Sequence, residues 1–159
     1  MPEERHIRAE TINADTVQAR AFVVGDAKGQ VRAFVGLGSE DTPMITLNNA
    51  FGETRIQLLL LDDASASFRI LDCHGDCRLM LTVTEQETPG IALYDVGGNV
   101  RAMLDVMDEA LGPLLRFKNS EGKGFLLMSG ADGMPVVIQT DPAEAEPPEQ
   151  GNDQPSSGA

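Results

Sequence analysis

Five copies of one short pattern constrain this chain more than any other feature. Asp26-x-x-Gly29 is followed three residues on by Arg32, and further glycines stand at Gly52, Gly75 and Gly98, each 23 residues after the last, then at Gly122 after 24. An Asx residue precedes each of these by three places, at Asn49, Asp72, Asp95 and Asn119. An arginine follows the next three by the same offset, at Arg55, Arg78 and Arg101. A period of this length marks an array of one supersecondary unit rather than an irregular globule.

Each copy translates into backbone geometry. An Asx side chain caps a turn, and glycine takes the left-handed conformation that residues with a Cβ resist, so D/N-x-x-G predicts a tight hairpin closed by a glycine. The residues entering the turns alternate: Phe22 and Val24, Ile45 and Leu47, Phe68 and Ile70, Ile91 and Leu93, Leu115 and Phe117. The residues leaving alternate too, with Ala33, Val35 and Leu37, then Ile56, Leu58 and Leu60, then Leu79, Leu81 and Val83, then Ala102, Leu104 and Val106 on one side and the arginines on the other. Period two over short runs predicts antiparallel strands with one apolar face, and no stretch sustains a helical period. A second set of turns lies between the hairpins, at 39 to 43, 62 to 66, 84 to 89, 108 to 113 and 131 to 135. Pro43, Pro89, Pro113 and Pro135 there lead into the next strand, where a missing N–H is tolerated. The expected fold is an all-β antiparallel meander of about ten strands in five 23-residue hairpin repeats. A closed up-and-down barrel is the alternative.

Composition narrows the function classes. With Lys+Arg 12 against Asp+Glu 25, the net charge is -13, which argues against a surface for phosphate backbones or anionic lipid. Nucleic acid and membrane are therefore not expected partners. The polar start and the lack of a long apolar run predict a cytoplasmic chain, and two cysteines fit a reducing compartment. The repeat domain is expected at 21–140. Residues 1–20 read as a flexible lead and an extended stem, in which Ile7, Ile12, Val17 and Phe22 recur every five residues in a register similar to that of pentapeptide repeats. Residues 141–159 read as a disordered acidic tail, with five acids, no basic residue and almost nothing large and apolar to offset the entropy of ordering.

Three constellations could carry chemistry. Arg32, Arg55, Arg78 and Arg101 form a ladder with its rungs two strands apart; each guanidinium is expected to pair with an Asx turn or carbonyl of its own or a neighbouring hairpin, and an extended anion is the other reading. The fifth hairpin has Phe125 at the corresponding place. Glu40, Asp41, Asp62, Asp63, Glu85, Glu87, Asp108, Glu109 and Asp132 gather in the second set of turns without one Lys or Arg. That edge would meet a basic protein or a divalent cation, though no loop has the D-x-D-x-D spacing of a calcium cage, and charge repulsion between exposed loops explains it equally. Cys73-His74-Gly75-Asp76-Cys77 reads as two small buried side chains in a repeat slot, with a cross-turn disulfide or part of a zinc site as the other readings. With His6 and His74 the only histidines and no phosphate-binding glycine loop before a helix, no enzyme, catalytic residue or cofactor is expected.

The span from 22 to 138 resembles bacterial repeat proteins of unassigned role written as D-x-x-G-x-x-R-A hairpins. In design it is similar to the trimeric β-repeat shafts of viral and phage fibres, whose familiar spiral has a shorter repeat. The resemblance implies a non-catalytic structural or interaction protein: a rigid shaft, spacer or assembly scaffold. A meander with one apolar face must close on itself or on copies, and a strict repeat suits packing around a shared axis. The expected assembly is a homotrimeric β-prism, ahead of a dimeric sandwich or a monomeric barrel binding a small apolar ligand.

Overall fold

The computed structural model describes residues 11, 12, 14 to 61, 65 to 106 and 112 to 141, with Glu40 described by its backbone alone. The strands are β1 (Ala21–Gly25), β2 (Val31–Leu37), β3 (Pro43–Asn48), β4 (Thr54–Leu60), β5 (Ala66–Leu71), β6 (Cys77–Val83), β7 (Pro89–Tyr94), β8 (Val100–Val106), β9 (Pro113–Lys118), β10 (Gly124–Ser129) and β11 (Pro135–Thr140). One turn of 3-10 helix at Ser39–Asp41 interrupts them, and there is no α-helix among the described residues. Residues 14 to 20 carry no strand, and Ile12 and Val17 are exposed. The expected tail at 142 to 159, and the lead at 1 to 10, lie outside the described residues.

All eleven strands form one antiparallel sheet in chain order, from β1 at one edge to β11 at the other. The sheet is open, so the barrel alternative does not hold. With eleven strands in chain order β1 and β11 run in the same sense, which denies the two edges an antiparallel closure, and no pairing joins them.

The period follows from element lengths. The outgoing strands β2, β4, β6 and β8 have seven residues, the incoming β3, β5, β7 and β9 have six, and the links are five residues long except the one at 107 to 112. That longer link accounts for the step of 24. Each of the first four hairpins also has a register shift next to its turn, between Val24 and Gly25, Leu47 and Asn48, Ile70 and Leu71, and Leu93 and Tyr94. The shift admits one extra residue on the outgoing strand, a β-bulge, and the arginine follows directly on the residue paired there.

Register lines the side chains into rows. Phe22, Val35, Ile45, Leu58, Phe68, Leu81, Ile91, Leu104, Leu115, Leu127 and Val137 stand opposite one another across all eleven strands. A second apolar row on the same face runs from Val24 and Ala33 to Phe117 and Phe125, whose rings lie 5.0 Å apart. These rows are the obvious core, yet they are not buried: Leu58 is 44% exposed, Leu81 38% and Leu104 39%. The buried strand residues, Leu59, Leu71, Ala92, Leu114, Thr46 and Ser67, are on the opposite face, and Ser65 is buried in the link before β5. Among the described residues no second layer covers either face, so these side chains are covered by their cross-strand neighbours. Ala92 sits in register between Met80 and Met103, and Thr46 between Phe34 and Gln57.

Candidate functional site

The five Asx turns repeat one local structure along a single edge of the sheet. In the first, the Asp26 N–H donates to the Gln30 carbonyl and the Gly29 N–H to the Asp26 carbonyl, both at 2.9 Å, while Asp26 Oδ1 accepts from the N–H groups of Lys28 at 2.9 Å and Gln30 at 3.0 Å. Asn49, Asp72, Asp95 and Asn119 hold the two equivalent N–H groups in their own turns. Gly29, Gly52, Gly75, Gly98 and Gly122 have φ between 78° and 85°, the left-handed region in which a Cβ would collide with the backbone.

The arginines tie these turns together. Arg32 Nε donates to the Asn48 carbonyl at 3.2 Å and its Nη1 lies 3.5 Å from Asp26 Oδ2; Arg55 Nε donates to the Leu71 carbonyl at 2.9 Å. Arg78 reaches the Asp72 carboxylate of its own turn and the Asp95 carbonyl of the next, with Asp76 3.6 Å away. Arg101 Nε donates to Asp95 Oδ2 at 2.6 Å, and its Nη1 to the Asn119 carbonyl. Each guanidinium thus bonds a backbone carbonyl of the next hairpin.

The surroundings hold these aspartates ionised. The Asn99 N–H, outweighing partial desolvation, and then Arg101 lower the Asp95 carboxyl from 3.8 to about 2. The Gln30 N–H lowers Asp26 against a smaller desolvation, aided by Lys28 and Arg32. For Asp72 desolvation is the largest single influence and acts upward, but the N–H of His74, the Arg78 guanidinium and the N–H of Asp76 together outweigh it.

The fifth hairpin differs from its expected form. Phe125 does not replace an arginine. β9 and β10 pair without a register shift, Gly124 opposite Lys118 and Phe125 opposite Phe117, so the bulge residue is missing and Phe125 falls in the apolar row. Gly124 allows the close approach this needs, since a Cβ there would lie 1.7 Å from the Phe117 carbonyl oxygen. The absent arginine was the available signal.

The second set of turns occupies the other edge. Glu40, Asp41, Glu85, Glu87 and Asp132 are there; Asp62, Asp63, Asp108 and Glu109 lie outside the described residues. Asp41 and Glu87 carry positive φ of 57° and 60°, so those two turns reach the left-handed region without a glycine, whereas Gly112 and Gly133 supply it in two others. Among the described residues no three His, Cys, Asp or Glu side chains gather as a metal site would require. Cys73 and Cys77 are both free thiols. Cys73 is exposed rather than buried as its repeat slot suggested, because that slot is a turn tip where Val96 is 87% exposed and Ala27 and Ala50 are also exposed. Cys77 is half-buried, its thiol 3.3 Å from the Leu79 carbonyl.

The remaining feature is the aliphatic face. Two open grooves cross it, one of about 480 Å³ between Leu58, Phe68, Leu81, Ile91 and Leu104, and one of about 550 Å³ between Phe22, Val35, Ile45 and Leu58. No helix among the described residues is long and apolar enough to cross a membrane. The fold and this face define an open antiparallel β-meander repeat protein. No protein-family model matches the chain, and no curated protein matches it either.

Proposed function

We propose that the protein is a non-catalytic structural element, a rigid β-repeat shaft or scaffold in which three copies pack their aliphatic faces around a common axis. One observation carries this reading: an apolar row eleven strands wide, on a sheet that does not close, is left half in water. Exposed apolar area on this scale marks an interaction surface. The occupant is the same surface on other copies, because the repeat sets equivalent side chains at a constant step along the sheet and matching rows then meet at every strand. The grooves would receive the side chains of the neighbouring sheets. Like groups spread along a line, whereas an active site needs unlike groups converging at a point. The arginine clips support rigidity by joining consecutive hairpins on the outer face. Native mass spectrometry tests the reading: the expected mass is three chains of 17.0 kDa or a multiple of three. A mass of one or two chains at every concentration overturns it.

A further inference from the structure

The two edge strands lack the charges that blunt many open sheets, although β1 keeps a bulge and β11 opens on a proline. β1 and β11 carry no charged residue, all five residues of β1 are exposed, and so are five of the six in β11. β1 is the less regular of the two, since its register shifts between Val24 and Gly25 and Ala19 and Arg20 line the groove beside it. β11 pairs with β10 through six residues without a shift.

The repeat shows that the open side of β11 is built to carry a neighbour. β3, β7 and β9 begin with the same proline, and each pairs on its far side with the next strand, β4, β8 and β10. β11 also begins with proline and is followed by Asp141, at the Asx position of a turn. The sequence then departs from the pattern as Asp141-Pro142-Ala143-Glu144, with glutamate where the turns have glycine. Hydrogen-bonding parity gives the same side. The Gly130 N–H bonds the Met134 carbonyl at 2.7 Å, so alternation directs Val136, Ile138 and Thr140 toward β10 and leaves the N–H and carbonyl groups of Val137 and Gln139, with the Pro135 carbonyl, facing outward.

We propose that this edge binds the β11 strand of a second copy, antiparallel, about a two-fold axis through Val137. Head-to-tail growth does not meet the need. β1 and β11 run in the same sense, so β1 of a following copy would lie parallel to β11 in an otherwise antiparallel sheet. A two-fold axis normal to the sheet reverses the strand while keeping the aliphatic face on one side. Val137 then faces its own copy, Val136 faces Ile138, and Pro135 offers its carbonyl to the Gln139 N–H. The apolar row continues unbroken from Leu115 through Leu127 and Val137 into the same residues of the partner.

This contact is independent of how the aliphatic faces pack, and it multiplies the mass of whatever unit they form by two. Light scattering on the full chain and on Val137→Pro, which deletes an outward N–H and leaves the β10 ladder intact, is expected to show wild type at twice the mass of the variant. Six chains falling to three supports both proposals; two falling to one supports this contact and removes the trimer. A mass of three chains in both proteins overturns the edge contact alone. If Val137→Pro fails to fold, Val137→Cys with Cys73→Ser and Cys77→Ser is expected to give a disulfide-linked pair on oxidation. Absence of that pair in the folded variant overturns the contact.

Discussion

Replacing Leu81 with aspartate separates a shared core from a sheet that stands alone. Leu81 is 38% exposed in the isolated chain, midway along the aliphatic row between Phe68 and Ile91. Full burial of a leucine is worth roughly 1.5 to 3 kcal/mol, so covering what remains in water contributes about 0.6 to 1.1 kcal/mol per chain. The substitution removes that gain and also places a carboxylate from each copy against the axis. Desolvating each charge costs several kcal/mol, with like charges close by and no cation lining the groove around Leu81. In a lone sheet the introduced group stays hydrated, and the loss is limited to two cross-strand contacts of about 0.2 to 1 kcal/mol each. The two cases diverge in light scattering and in thermal unfolding followed by circular dichroism. Leu81→Asp is expected to dissociate the assembly and unfold it together, as is Leu58→Asp in the same row, whereas Gln57→Glu on the opposite face is expected to leave the mass unchanged. A Leu81→Asp protein with the mass of wild type, melting only a few degrees lower, would refute the reasoning.

Three further outcomes follow from local geometry. The carboxyls of Asp26, Asp72 and Asp95 titrate below their ordinary range when folded, so their contribution is fully present above that range and is lost as pH falls, for Asp95 between 3.8 and about 2. Asp95→Asn is expected to flatten the decline of the melting temperature across that acid window, and an unaltered decline would remove Asp95 as a contributor to it. Gly124→Ala drives a Cβ onto a backbone carbonyl, and a loss of about 3 kcal/mol in urea unfolding is expected. Gly75→Ala, at φ 85° with nothing within 4 Å of its Cβ, meets only backbone strain and is expected to lose about 1 to 2 kcal/mol.

How much was legible beforehand divides along the range of the interactions. The D/N-x-x-G turns are local, because an Asx oxygen binds N–H groups two and four residues ahead and a glycine takes positive φ within the same loop. Sequence spacing therefore sufficed to locate the hairpins, the antiparallel meander and the face carrying the aliphatic rows. The arginine offset was visible as well, but its cause was not: a bulge is defined by the residue opposite it, so the meaning of Phe125 depended on its pairing with Phe117. Exposure of the aliphatic face was equally out of reach, since alternation says which residues share a side and not whether anything covers it. Tertiary structure decided that the sheet stays open, because closure depends on where β1 and β11 lie. Strand parity and edge pairing belong to the whole sheet, and no window of the sequence contains them.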